Sequence, residues 1–136
     1  MCWHPLLERM DDRFHLVAMD LRGHGASDKP ENEPAYTNTA LWADDVSAVM
    51  QTAAIKNPVL VGWSYGARVI AAYLATQGDS DIAGIAVAGG VLAIGNKRES
   101  WMAGTASPGL DRELYTDDVP RRLAATARFV AACTTE

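Results

Sequence analysis

Cysteine is scarce: Cys2 and Cys133 stand at opposite ends of the 136 residues, with no CxxC pair between them. A disulfide framework is not expected, and two reduced thiols fit a cytoplasmic protein. Positive charge is short as well. Lys and Arg number 12 against 17 Asp and Glu, a net charge of -5, and they adjoin only at Lys97-Arg98 and Arg121-Arg122. Such a surface repels a phosphate backbone, so nucleic acid is not an expected partner. The longest nearly apolar run, Ile82 to Ile94, is interrupted by glycine and too short to span a bilayer. No charged segment leading into an apolar stretch opens the chain, so neither a secretory signal nor a membrane partner is read. The three histidines, His4, His15 and His24, lack the spacing of a metal site, and no cofactor is expected. No G-x-G-x-x-G opens a helix after a strand, which argues against a dinucleotide site. "GGVLAIGNK" from Gly89 imitates a phosphate loop, but its lysine falls one position late and no Ser or Thr follows.

What remains is an ordinary globular composition, 49% hydrophobic and 21% charged, in a length suited to one domain with a real core. "HLVAMD" (His15 to Asp20) reads as a buried strand running into a loop rich in glycine and proline. From Asn38 to Ala54 the apolar residues Trp42, Val46, Val49, Met50 and Ala53 share one helical face, with Asp44, Asp45 and Gln51 turned outward. Pro58 ends that helix and "VLVG" forms a second strand. Tyr65 to Gln77 is alanine-rich and apolar almost all round, suiting a helix packed on a sheet, and Gly78 is a natural stop. A third strand is expected from Ile82. Residues 91 to 110 read as loop, and Asp117 or Asp118 caps a last helix with Pro120 in its first turn. Strands alternating with helices, each nearly continuous in apolar residues, indicate a parallel α/β sheet covered on both faces.

Between the second strand and its helix lies "VGWSYG", residues 61 to 66, with no spare residue on either side. Ser64 therefore sits on a strand-to-helix turn, where a strained backbone presents its hydroxyl away from the sheet. Gly62 and Gly66 would remove β-carbons that collide across that turn. Tyr65 begins the helix, so its N–H has no partner within the helix and is available to a developing negative charge. Trp63 and Tyr65 flank the serine, either lining a pocket or packing beneath it. A cap for the helix is the alternative role for Ser64.

"VAMDLRGHGASDKP" followed by "PVLVGWSYGARVIAAYL" resembles the α/β-hydrolase superfamily, in its esterase-like and non-haem haloperoxidase-like branch. The resemblance covers about residues 3 to 136. It implies a partial α/β-hydrolase sandwich, with a mostly parallel sheet, flanking helices and the start of a helical cap at the C-terminus. It implies one partial domain over 1–136, with its core at about 3–90 and a cap-like segment at about 91–136. Ser64 matches the nucleophile and Tyr65 one oxyanion-hole donor. Gly23, His24, Gly25 and Ser27 match a D-x-R-G-x-G-x-S loop that is structural in such proteins, so His24 is not the expected base. The implied partner is a small-molecule ester or acyl substrate, with serine rather than aspartate favouring acyl transfer.

The order implied is nucleophile, acid, then histidine, yet no histidine follows Ser64. Asp111, Asp117 and Asp118 follow it but end no expected strand. A strand with an HG-type loop would precede Trp3 and lie between "HLVAMD" and "PVLVG". Its absence opens a gap of about 9.6 Å, two strand spacings. The chain is accordingly read as truncated at both ends and inactive alone. A non-catalytic scaffold or interaction module is the alternative.

Overall fold

The computed structural model describes residues 3–10, 12–90 and 113–133. Cys2, Asp111 and the loop expected over 91–110 lie outside the described residues. The contacts divide the chain into two compact units, Met1–Leu92 and Ala93–Glu136. The first runs α1 (His4–Met10), α2 (Pro34–Thr37), α3 (Thr39–Thr52), β1 (Val59–Trp63), α4 (Gly66–Gln77) and β2 (Gly84–Ala88). The second contains α5 (Val119–Cys133).

Helix α3 begins where Asn38, in extended conformation, accepts a hydrogen bond from the Ala40 N–H through its side chain. That satisfies one of the donors a helix start leaves open. Trp42 and Val46, one turn apart, meet Val69, Ala72 and Tyr73 of α4 in a buried cluster with Ala43. The spacings are those that put side chains on one helical face. Met19, Leu21, Met50, Leu60 and Ile82 pack around it. Gly78 ends α4 at φ +78, its N–H bonded to the Leu74 carbonyl. In the second unit the Asp118 carboxylate accepts from the Arg121 N–H at 3.0 Å, so Asp118 caps α5.

Strands β1 and β2 pair in parallel, Val59 opposite Gly84 through to Trp63 opposite Ala88. Leu60 and Gly62 turn toward α4, while Val59, Val61 and Trp63 on the alternate face are each more than half exposed, so the cover expected on both faces is found on one among the described residues. The strand expected at His15–Asp20 is not formed. Among the described residues its backbone pairs with no other backbone group, and only the Asp20 carbonyl is bonded, by the Ser27 hydroxyl. A strand exists through its neighbour. The resemblance sets another strand between this segment and β1, and no described residue fills that place. The apolar pattern is still used, because Met19 and Leu21 reach the core.

A second correction concerns Asp45, expected to face solvent beside Asp44. Both its oxygens accept from Arg22, each at 2.7 Å. Arg22 also donates to the carbonyls of Leu41 (2.9 Å) and Ala35 (3.2 Å), tying the loop after residue 20 to α2 and α3. The hydrogen bond to Asp45 is the main cause that holds the Arg22 pKa above its ordinary value. The pairing spans 23 residues, so no local period announces it.

The end of α3 carries a correctable strain. Ile55 N–H bonds Met50 O and Ala54 N–H bonds Gln51 O, the two bonds of a Schellman cap, with Ala54 at φ +52. Glycine occupies that conformation without the cost an L-side chain meets. Ala54→Gly is expected to raise the denaturation midpoint, adding about 0.5–1 kcal/mol after the unfolded-state entropy of glycine is subtracted. A lower midpoint would contradict the strain argument.

Candidate active site

The turn between β1 and α4 holds Ser64 at φ +53. An L-residue in that left-handed region costs about 1–2 kcal/mol, so its surroundings must impose it. Two bonds do so. Ser64 N–H donates to the Ala88 carbonyl of β2 at 3.0 Å, and Ser64 O accepts from the Ala67 N–H at 3.1 Å. The peptides on either side are thus fixed by a strand and by a helix.

Packing closes the turn from beneath. A β-carbon on Gly62 would lie 2.8 Å from the Gly66 carbonyl carbon, 2.9 Å from the Ala67 nitrogen and 2.8 Å from Ile70 Cδ1. One on Gly66 would meet nothing within 4 Å among the described residues. The steric demand therefore falls on Gly62, and the collision expected for Gly66 is absent. Gly90, which the sequence reading passed over, makes a further close approach. Its β-carbon would come within 2.6 Å of both Ser64 O and Ala67 Cβ, so the chain leaving β2 runs tight against the serine turn. The doublet Gly89-Gly90 at a strand end was the available signal.

Ser64 is exposed, and its hydroxyl has no hydrogen-bond partner among the described residues. The Tyr65 N–H likewise has no acceptor there. An exposed hydroxyl beside a free amide donor can add to a carbonyl and stabilise the oxygen that becomes negative. No described histidine or carboxylate reaches that hydroxyl. His24 is engaged in its own loop, Nδ1 lying 3.1 Å from the Arg22 carbonyl oxygen. Asp20 anchors that loop, accepting from the Ala26 N–H at 3.0 Å, and a β-carbon on Gly25 would stand 2.0 Å from its carboxylate. Among the described residues no group of His, Cys, Asp and Glu could hold a metal ion. No described helix is long and apolar enough to cross a membrane.

Trp63 is more than half exposed and lies against Gly89, whose β-carbon would sit 3.6 Å from the indole nitrogen. Tyr65 packs its ring on Trp42 of α3, centroids 5.5 Å apart and tilted by 59°. The Arg68 guanidinium covers both, 5.1 Å from the Tyr65 ring centre and 5.8 Å from Trp42. Arg68 is not among the residues expected at the site from sequence. Its signal was a lone charge four residues after Ser64 in an otherwise apolar helix. A groove of about 670 Å³ lined by Asp44, Lys56, Tyr73 and Asp81 contains none of these residues.

The alpha/beta hydrolase fold family model matches residues 1–123. The chain is 44% identical over 66 residues to a 2-(acetamidomethylene)succinate hydrolase of Mesorhizobium japonicum, covering 48% of this chain and 23% of that protein. It is 31% identical over 113 residues to the AB hydrolase superfamily protein YisY of Bacillus subtilis, covering 82% of this chain and 41% of that one. Among solved structures, the esterase RhEst1 from Rhodococcus sp. ECU1013 aligns with a TM-score of 0.79 at 35% identity, covering 96% of this chain and 48% of the esterase. The chain therefore spans less than half the length of each of these relatives.

Proposed function

The chain belongs to the α/β-hydrolase fold family, and from that premise we propose that it carries the nucleophile of a serine hydrolase acting on small carboxylic esters. The observation that carries this reading is the φ of +53 at Ser64, imposed by packing and leaving the hydroxyl exposed and without a partner among the described residues. In this reading Ser64 Oγ adds to the ester carbonyl and the alcohol departs. An acyl group stays on Oγ until water removes it. The Tyr65 N–H holds the oxyanion and Trp63 borders the acyl site. The likeness to esterases supports an ester as the substrate, and the same serine would serve a haloperoxidase-like variant. No histidine follows Ser64 in the 136 residues, so this reading assigns the base to none of the residues after it.

A fluorophosphonate probe tests the assignment without a cognate substrate. Where a triad member is missing, the oxyanion hole and binding alone still leave about 10³-fold catalysis over water. Ser64 is expected to be modified at least about a hundredfold faster than Ser47 or Ser80, with the adduct located by mass spectrometry. Ser64→Ala should remove it. A folded protein in which Ser64 reacts no faster than those two would overturn the reading and leave a scaffold that serves interaction alone.

A further inference from the structure

Arg68 is a half-buried cation with no ion pair among the described residues. Arg22, the other arginine packed into this unit, is its contrast: it is held by Asp45 and two backbone carbonyls. Arg68 instead lays its guanidinium over the rings of Tyr65 and Trp42. A guanidinium with no hydrogen bond to the described residues keeps its N–H donors open to a ligand. Side chains on a helix lean toward its N-terminus. A long side chain at position 68 of α4 therefore returns to the end where Ser64 stands, and the 5.1 Å contact with Tyr65 places it there.

We propose that Arg68 binds a carboxylate of the substrate, making the preferred ester a monoester of a short dicarboxylic acid rather than a neutral ester. The guanidinium fork matches a carboxylate with two parallel hydrogen bonds. In a chain of net charge -5 an anionic ligand needs such a local cation. The bond that is broken rests on the serine hydrolase reading, whereas the carboxylate contact does not.

Titrating the folded chain with monomethyl succinate, and separately with methyl butyrate, tests this through the backbone amide resonances of Tyr65 and Arg68. Monomethyl succinate is expected to bind saturably at millimolar concentration, and methyl butyrate about tenfold or more weaker. Arg68→Leu should weaken monomethyl succinate by about ten- to a hundredfold. Arg68→Lys, which keeps the charge and loses the fork, should weaken it by about three- to tenfold. Equal binding of the two esters, binding unchanged in Arg68→Leu, or no saturable binding to the folded protein would each overturn the proposal. If Arg68→Leu does not fold, the two esters on the unsubstituted chain and Arg68→Lys still decide. Fluorophosphonate labelling is read independently. Labelling lost with selective binding kept sinks the serine reading alone, and the reverse pattern sinks the carboxylate site alone.

Discussion

Gly62→Ala is expected to cost about 2–4 kcal/mol of stability, whereas Gly66→Ala is expected to cost nothing and to gain up to about 0.5 kcal/mol. The two glycines flank Ser64 symmetrically in sequence, yet their surroundings differ. At position 62 a methyl group would press on the Gly66 carbonyl carbon at 2.8 Å and the Ala67 nitrogen at 2.9 Å. Both are backbone atoms at the start of α4, so relief requires β1 and α4 to separate. Ser64 is held at its positive φ by bonds to Ala88 and Ala67, one on each side of that gap. Separation would therefore release the serine as well as the packing. At position 66 a methyl group enters open space in the first turn of a helix, where alanine is the better helix former. Urea denaturation followed by far-ultraviolet circular dichroism reads both variants. A lower midpoint is expected for Gly62→Ala alone, and equal damage from the two would refute the steric difference between them. In any Gly62→Ala protein that still folds, Ser64 should also lose its selective reaction with fluorophosphonate.

The contrast between these glycines marks where sequence stops being informative. The alternation that set "VLVG" before a serine and an alanine-rich run after it was sufficient to place the turn, because each signal is local. Asp118 and Gly78 were legible for the same reason, since a cap acts within a few residues of itself. Which flanking glycine bears the contact depends on how β1 crosses α4, and on Ile70 reaching back to the strand. Gly90 and the Arg22–Asp45 pair are further cases, joining residues 26 and 23 positions apart. His15–Asp20 shows the opposite failure. Its apolar run suits a buried strand, and Met19 within it and Leu21 just after it reach the core, but hydrogen bonding needs a neighbour no period encodes. Arg68 was invisible for a subtler reason. A single arginine in a helix is ordinarily a solvated charge, and only the rings of Trp42 and Tyr65 beneath it change that.

Trp42 joins the core to the site, and Trp42→Ala is expected to remove about 3–5 kcal/mol, the largest loss of any single truncation in this unit. The indole is 7% exposed and belongs to the buried cluster of α3 and α4. Its partners there, Ala43 and Ala72, are small, and Val46, Val69 and Tyr73 are fixed on two helices. The neighbours cannot collapse into the space without moving a helix, so the cavity persists and its cost adds to the lost transfer energy. The reserve against such a loss is thin. One face of the β1–β2 pair leaves Val59, Val61 and Trp63 exposed, so this sheet contributes burial from one side only. Domains of this size are stable by about 5–15 kcal/mol at most, and one with an uncovered sheet face sits near the bottom of that range. Trp42→Ala should accordingly populate the unfolded chain without denaturant. Trp42→Phe keeps a ring under the Arg68 guanidinium and most of the volume, and should cost about 1–2 kcal/mol. Circular dichroism in urea is the suitable measurement, since replacing Trp42 itself alters the fluorescence. A Trp42→Ala protein within about 1 kcal/mol of the unsubstituted chain would mean that α3 and α4 close over the cavity. In that event Tyr65 would lose its stacking partner without loss of fold, and Ser64 reactivity would report the effect of the ring alone.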